Sequence, residues 1–303
     1  DALQRHPDLV QRSFLRVYDD YPFISRDKFS LLHHALITDG VFLYVPKNTT
    51  INLATSLLAH GTAFSHSIIV LEPGSTVNYF EEYLATRSKA QLHAGTVELY
   101  VGEGASLNFH TLHNLVACYD FSNKVATLGK DAQLRWLLCT AGEKLARVKI
   151  DTVFAGEGAA AETFCAFTGR QTNHVDVTTN AFHVVPRTRG NIIAKGVLYD
   201  ASTSVYRGMI KIWKGAQQTD SYLSDHTLKM SETSIANSIP ALEIDANDVK
   251  ASHGVTVGQV DEEQLFYLMS RGLPRQDAEQ LIVDGFFDPL LAHVPVLNIR
   301  DRF

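Results

Sequence analysis

The chain has 303 residues, 45% of them hydrophobic and 20% charged. That excludes a disordered, collagen-like or disulfide-stapled protein and leaves one large domain with helical ends, or two domains. Its 27 Lys and Arg face 33 Asp and Glu, and the segment 240–290 alone, with ten acids and three bases, carries −7 of the net −6. No basic stripe remains to follow a nucleic-acid backbone, no apolar run approaches the ~20 residues of a membrane span, and no signal peptide is visible. Because the chain opens at Asp1 rather than Met, further residues are expected upstream.

Residues 1–40 read as helical. Val10, Phe14 and Val17 fall four and three apart, as do Phe29, Leu32 and Leu36, so each set predicts one apolar helix face. Pro22 separates the two segments and Gly40 is the expected C-cap of the second. Over 41–260 short runs of branched and aromatic residues take over, at 41–45, 68–71, 97–101, 134–138, 147–153, 192–198 and 209–213, each bounded by turn residues.

The strand region repeats. A turn residue followed by an apolar residue at +3 and a bulky one at +5 occurs at Asn48, Gly74, Gly104 and Asp131, with a weaker copy at Gly158. The intervals are 26, 30, 27 and 27 residues. A sandwich has no reason to keep such a period, whereas each coil of a solenoid must stack on its neighbours to bury its apolar face. The predicted fold is mainly β: a right-handed parallel β-helix over 41–260, with an α-helical segment at 1–40 and another at 261–303.

In the last segment Asp261 and Gln264 suggest a capping box, Leu265, Leu268 and Met269 share a face, and Gly272 ends the helix. Pro274 starts a second helix with Ala278, Leu281 and Ile282 on one side, and Gly285 is its expected end. Cys118, Cys139 and Cys165 are odd in number and form no CxxC, which fits small core residues in a reducing, cytoplasmic compartment.

Several patterns invite chemistry and mostly fail. Gly156-Glu-Gly158-Ala-Ala-Ala161 spells a dinucleotide fingerprint, but the residues after it read as strand, and a repeat turn explains it better. His33 and His34 are adjacent and point to different sides of a helix; His110 and His113 lack a partner at metal-ligand spacing. Asp151, Glu157, Glu162 and Asp176 could serve a carbohydrate-active β-helix lyase or hydrolase, yet their spacing specifies nothing.

One stretch differs: the run from Leu242 to Leu273, containing Asp-Val-Lys-Ala-Ser-His253-Gly-Val-Thr-Val-Gly-Gln and then Asp-Glu-Glu-Gln-Leu-Phe-Tyr-Leu-Met-Ser-Arg-Gly272. It reads as the last solenoid strands, a Ser-His-Gly turn and the capped helix. At a solenoid end His253 either presents its imidazole to a ligand, for which iron is well suited, or packs to close the last coil. This run resembles the signature of the SufB/SufD family, scaffolds of iron–sulfur cluster assembly, and within it the SufD branch. The resemblance extends over 205–287 by sequence and over the rest by architecture.

The resemblance implies a non-enzymatic subunit of a SufBCD complex, pairing with SufB through its β-helix and with the ATPase SufC through its C-terminal helices. It implies no tightly bound cofactor, only a transient iron–sulfur cluster or iron. His253 would be the ligand at the SufB interface, and Asp261, Gln264, Leu265, Phe266, Leu268, Met269, Arg271, Leu281 and Phe286 would meet SufC. SufB-type scaffolds carry a cysteine before the motif and a Glu after its histidine. Here 214–252 holds no Cys, Gly254 follows His253, and Ala251 stands where SufD relatives often have Cys. The family's N-terminal helical region is expected to be short in this chain. An open solenoid edge also predicts a homodimer when SufB is absent.

Overall fold

The computed structural model describes residues 2–24, 27–59, 61–85 and 91–292; the end of the expected C-terminal segment, 293–303, lies outside the described residues. Four short helices come first: α1 (Ala2–Arg5), α2 (Pro7–Ser13), α3 (Arg16–Asp20) and α4 (Lys28–Ala35). Sixteen strands follow among the described residues. The odd ones are β1 (Phe42–Val45), β3 (Thr62–Leu71), β5 (Leu92–Val101), β7 (Tyr119–Leu128), β9 (Leu145–Phe154), β11 (His174–His183), β13 (Thr203–Ile212) and β15 (Ile235–Ile244). The even ones are β2 (Thr50–Ala59), β4 (Thr76–Ala85), β6 (Ser106–Asn114), β8 (Gln133–Ala141), β10 (Ala160–Gly169), β12 (Arg189–Leu198), β14 (Asp220–Lys229) and β16 (Lys250–Gln259). Helices α5 (Glu262–Ser270) and α6 (Arg275–Leu291) close the chain.

The chain is a parallel β-solenoid. All odd strands form one sheet in chain order and all even strands the other, so each coil adds one strand to each sheet. The repeat positions are the rungs. Ile51, Val77, Leu107, Leu134 and Ala161 pair in succession, and the ladder continues through Gly190 and Ser221 to Ala251. The turn residue three places before each rung is left-handed at Asn48, Gly74, Gly104, Asp131, Gly158, Arg187 and Gln218. At the first five of these the need for positive φ selects Gly, Asn or Asp, which makes the period legible there, while Arg187 and Gln218 hide it in the later coils. Gly156 belongs to the same device: a Cβ there would meet the Lys130 backbone nitrogen at 2.0 Å, and strand β10, not a helix, follows.

In the core between the sheets Tyr79 stacks on Phe109 of the next coil and Phe109 meets Trp136 of the coil after it edge to face, all three fully buried. Two outer faces are also covered. Val17, Tyr18 and Ile24 sit on Val125, Val153 and Phe182 of the odd sheet, while Val283, Phe287, Leu290 and Leu291 of α6 sit on Leu137, Phe164, Ala166 and Val197 of the even sheet. All three cysteines are free and buried, Cys139 and Cys165 within these apolar clusters. Burial pushes the Cys118 and Cys139 thiols up to about 12, so they are inert packing groups.

The helical ends differ from the sequence expectation in four places. The first apolar face is broken, because Leu15 is left-handed and its N–H is captured by Glu98 Oε1 of β5 at 2.8 Å. On α4 the buried residues are Ser30 and His33, while Leu32 and Leu36 are exposed; Ser30 closes the Asp27 cap, and the solenoid partners of His33, the Ala94 carbonyl oxygen and His66, choose that face. The helix also ends at Ala35, not at Gly40. Gly285 does not end α6, which runs on through Pro289 to Leu291. A glycine with open space around it costs ~1 kcal/mol in a helix. The anchors Phe287, Leu290 and Leu291 outweigh that, and they turn Leu281 outward.

Candidate functional site

Among the described residues the solenoid ends on two strands that no other strand pairs with on their outer side, β15 and β16, each the edge of its sheet. In-register partners of a parallel sheet share a face. His253 pairs with fully buried Leu223 of the core, so its side chain lies on the lumen side of the last coil, where no further coil covers it, and it is exposed. Ser252, His253 and Gly254 form strand rather than the expected turn. Val255 and Val257 share the face of His253 at 40% and 42% exposure, and Ile244 of β15 adds 38%. The signature histidine therefore stands in an apolar open mouth. One rung inside, paired with Val255, the buried carboxyl of Asp225 is pushed up to about 6 by desolvation.

The free edges are not equivalent. Lys250 and Val260 donate to Thr219 and Lys229 carbonyls, which turns the N–H groups of Ala251, His253, Val255 and Val257 away from β14, toward the open side. On β15, Ile235 and Asp245 donate inward to Ser202 and Ile212, so Pro240 occupies an outward-facing position and removes its donor. Strand β16 thus offers an unbroken row of backbone donors, and β15 an interrupted one.

Helix α5 follows β16 directly and packs against α6, which lies over β10 and β12 of the even sheet. Asp261 Oδ1 caps α5 by accepting from the N–H groups of Glu263 at 2.9 Å and Gln264 at 3.5 Å, and Gly272, at φ 97°, ends it. Arg275 ties Glu262 at 3.0 Å to Glu279 at 2.8 Å. Of the residues singled out for SufC, Leu265 is fully buried and Leu268 and Phe286 are half-buried, with Lys195 Nζ over the Phe286 ring. Asp261, Gln264, Phe266, Met269, Arg271 and Leu281 are exposed, Phe266 at 74%, and Tyr267, which sequence reasoning passed over, at 57%.

The other carboxylates do not gather. Asp151 binds Lys149 and Asn180, Glu157 binds Arg187, Glu162 binds Arg135 and Asp176 binds Arg207, each within or across adjacent coils. A groove over the outer face of the even sheet is lined by Asn108, Arg135, Glu162, Asn191, Asp220 and Tyr222, and of its two acids Glu162 is already neutralised by Arg135 at 2.6 Å.

Inside the early coils sequence reasoning missed a buried polar ladder. Ser65 Oγ lies 2.9 Å from His93 Nε2; the Nδ1 atoms of His93 and His113 each lie 2.7 Å from Asp120, and Ser122 Oγ donates to the same carboxylate. Burial alone would raise the Asp120 carboxyl, but the two imidazoles outweigh it and hold the group well below the usual carboxylate range. The Ser–His–Asp order has the form of a nucleophile relay, yet Ser65, His93 and Asp120 are 5%, 2% and 0% exposed, and no substrate reaches them. Period-two alternation hides such residues because they occupy core positions. Nearby, desolvation and the Asp120 charge push Glu143 up to about 8. A carboxyl raised from 4.5 contributes stability that is whole below pH 4.5 and lost as pH rises through 8. Glu143→Gln is therefore expected to gain about 2–4 kcal/mol on wild type between pH 5 and pH 9 in urea unfolding, and a pH-independent difference would contradict this.

His110 and His113 are buried separately, but His33 and His34 do converge, because His66 of β3 comes between them across 32 residues of sequence. Burial and the neighbouring imidazoles push His33 down to about 3, so it is neutral.

The SUF system FeS cluster assembly, SufBD core domain family matches residues 53–286, which include the whole coil stack from β3 to β16 and most of α6. The chain belongs to the SufB/SufD family. It is 32% identical to the iron–sulfur cluster assembly protein SufD of Bacillus subtilis, over 99% of this chain and 70% of that one. It is 31% identical to an iron–sulfur cluster assembly SufBD family protein of Staphylococcus saprophyticus, and 28% to one of Synechocystis, over 97% and 98% of this chain and 64% of each relative. The chain thus spans about two thirds of the length of these SufB/SufD relatives. Among the described residues no helix is long and apolar enough to cross a membrane.

Proposed function

We propose that this SufD-like chain is a non-catalytic, cytoplasmic scaffold subunit that pairs with SufB through its terminal coil and with the ATPase SufC through α5 and α6. The observation that carries the reading is His253: a signature histidine, exposed on the lumen side of an unpaired edge strand, in an apolar mouth that a second solenoid could close. His253 would then give a nitrogen ligand to iron or to a nascent cluster passing through the joint as cargo, with no tightly bound cofactor resident in the chain. Phe266, Tyr267 and Met269 on α5, beside Glu262 and Glu263, suit an apolar pocket with a basic rim on SufC. Since each candidate acid of a carbohydrate-active enzyme is ion-paired, that alternative gains nothing from the geometry.

The same free edge of β16 supports a homodimer in the absence of SufB. For the ligand role, iron titration of the reconstituted complex followed by Mössbauer spectroscopy is expected to lose at least half of the bound iron in His253→Ala. Equal occupancy in wild type and variant would remove His253 from the site.

A further inference from the structure

At the opposite end of the coil stack from β16, three imidazoles meet where α4 lies against the solenoid. One ring nitrogen each of His33, His34 and His66 falls within 4.8 Å of the others. Hydrogen bonding fixes two of the tautomers. His33 Nδ1 is 3.0 Å from the Ala94 carbonyl oxygen, which only accepts, so Nδ1 carries the proton and Nε2 presents a lone pair. His66 Nε2 is 2.8 Å from Glu98 Oε1. That buried carboxylate also accepts from Leu15 N–H at 2.8 Å and from the Tyr100 hydroxyl at 2.6 Å. An acceptor with three donors keeps the proton on His66 Nε2, and His66 Nδ1 presents a lone pair.

Yet His33 Nε2 and His66 Nδ1 face each other at 3.2 Å. Lone pair against lone pair at that distance calls for a cation. An ion about 2.05 Å from both nitrogens would see them at roughly 100°, close to a tetrahedral angle. Outer partners of the kind that orient metal-bound imidazoles, a backbone carbonyl on one ring and a carboxylate on another, are already in place. We propose that His33 Nε2, His66 Nδ1 and a ring nitrogen of His34 form a binding site for a divalent first-row transition ion, Zn²⁺ being the best match to three neutral imidazoles.

The site is tied to the N-terminal helices. Glu98 holds Leu15, and the Tyr100 hydroxyl, its proton directed at Glu98, accepts from Val17 N–H at 3.1 Å and lies 2.7 Å from the Ser13 carbonyl oxygen. Ion binding therefore fastens α2 and α3 to β5, independently of anything at His253.

The test uses the untagged chain stripped with a chelator and titrated with Co²⁺ alone, then with Zn²⁺. One equivalent of Co²⁺ is expected to bind with the visible d–d bands of a low-coordinate nitrogen site and to be displaced by Zn²⁺. His34→Ala, at the half-buried position, is expected to weaken binding at least tenfold, and His33→Ala to abolish it, while His253→Ala keeps the bands unchanged. Should His33→Ala misfold, Zn²⁺ added to wild type is still expected to slow amide exchange at residues 13–17. Wild type that binds no Co²⁺, that keeps full binding in His34→Ala, or whose 13–17 amides ignore Zn²⁺ would overturn the site and leave a proton shared between His33 and His66.

Discussion

Val255→Pro is expected to weaken the pairing of the terminal coil with SufB about a hundredfold while the chain stays folded. The N–H of Val255 points away from β14, so its removal leaves the β14–β16 ladder intact. The fold already tolerates the same change on the other edge, at Pro240 of β15. What is lost is one donor of the row that β16 presents, together with room for an approaching strand, because the proline ring stands where the partner's backbone would lie. At ~3 kcal/mol this is about a hundredfold in affinity. Thr256→Pro is the internal control: its N–H belongs to the β14 ladder, and its loss is expected to loosen the last coil itself. Binding by size-exclusion with light scattering, beside thermal melts, separates the two. Unchanged affinity in Val255→Pro would mean that β16 is not a pairing edge.

Asp120→Ala is expected to be the most destabilising single change in the coil interior. It leaves the Nδ1–H groups of His93 and His113 and the hydroxyl of Ser122 without their acceptor, all in a space closed to water. Stranding donors around a removed buried charge costs about 3–5 kcal/mol. In a chain of this length that lowers Tm by roughly 5–10 °C. Nearby Lys124 is also buried, 3.8 Å from Glu81 and over the Tyr83 ring, so a full calorimetric scan would show the early coils melting ahead of the later ones. A loss below about 1 kcal/mol would show that water enters the lumen and replaces the carboxylate.

Much of this molecule was legible in its sequence because a solenoid writes one backbone constraint per coil. Asn48, Gly74, Gly104, Asp131 and Gly158 each take a left-handed conformation three residues before a rung, and the spacing of those residues is the stacking register. The helical ends were less legible because their faces are chosen by the solenoid rather than by their own periodicity. Leu15 breaks a helix to meet Glu98, His33 rather than Leu32 turns inward, and α6 passes Gly285 to reach its anchors. The polar lumen and the His33–His34–His66 cluster could not be read at all, since strands distant in sequence meet there. His253 was found through a long local motif, but its setting on the lumen side of an open mouth comes from its register with Leu223.

The scaffold reading rests most directly on whether the two exposed surfaces bind different partners. The decisive measurement is size-exclusion chromatography with light scattering of the untagged chain mixed with SufB and SufC from the same genome. Wild type is expected to elute as a ternary complex. Val255→Pro is expected to lose only SufB, and a Phe266→Ala/Tyr267→Ala variant only SufC. Elution of the wild-type chain free of both partners would contradict the scaffold assignment.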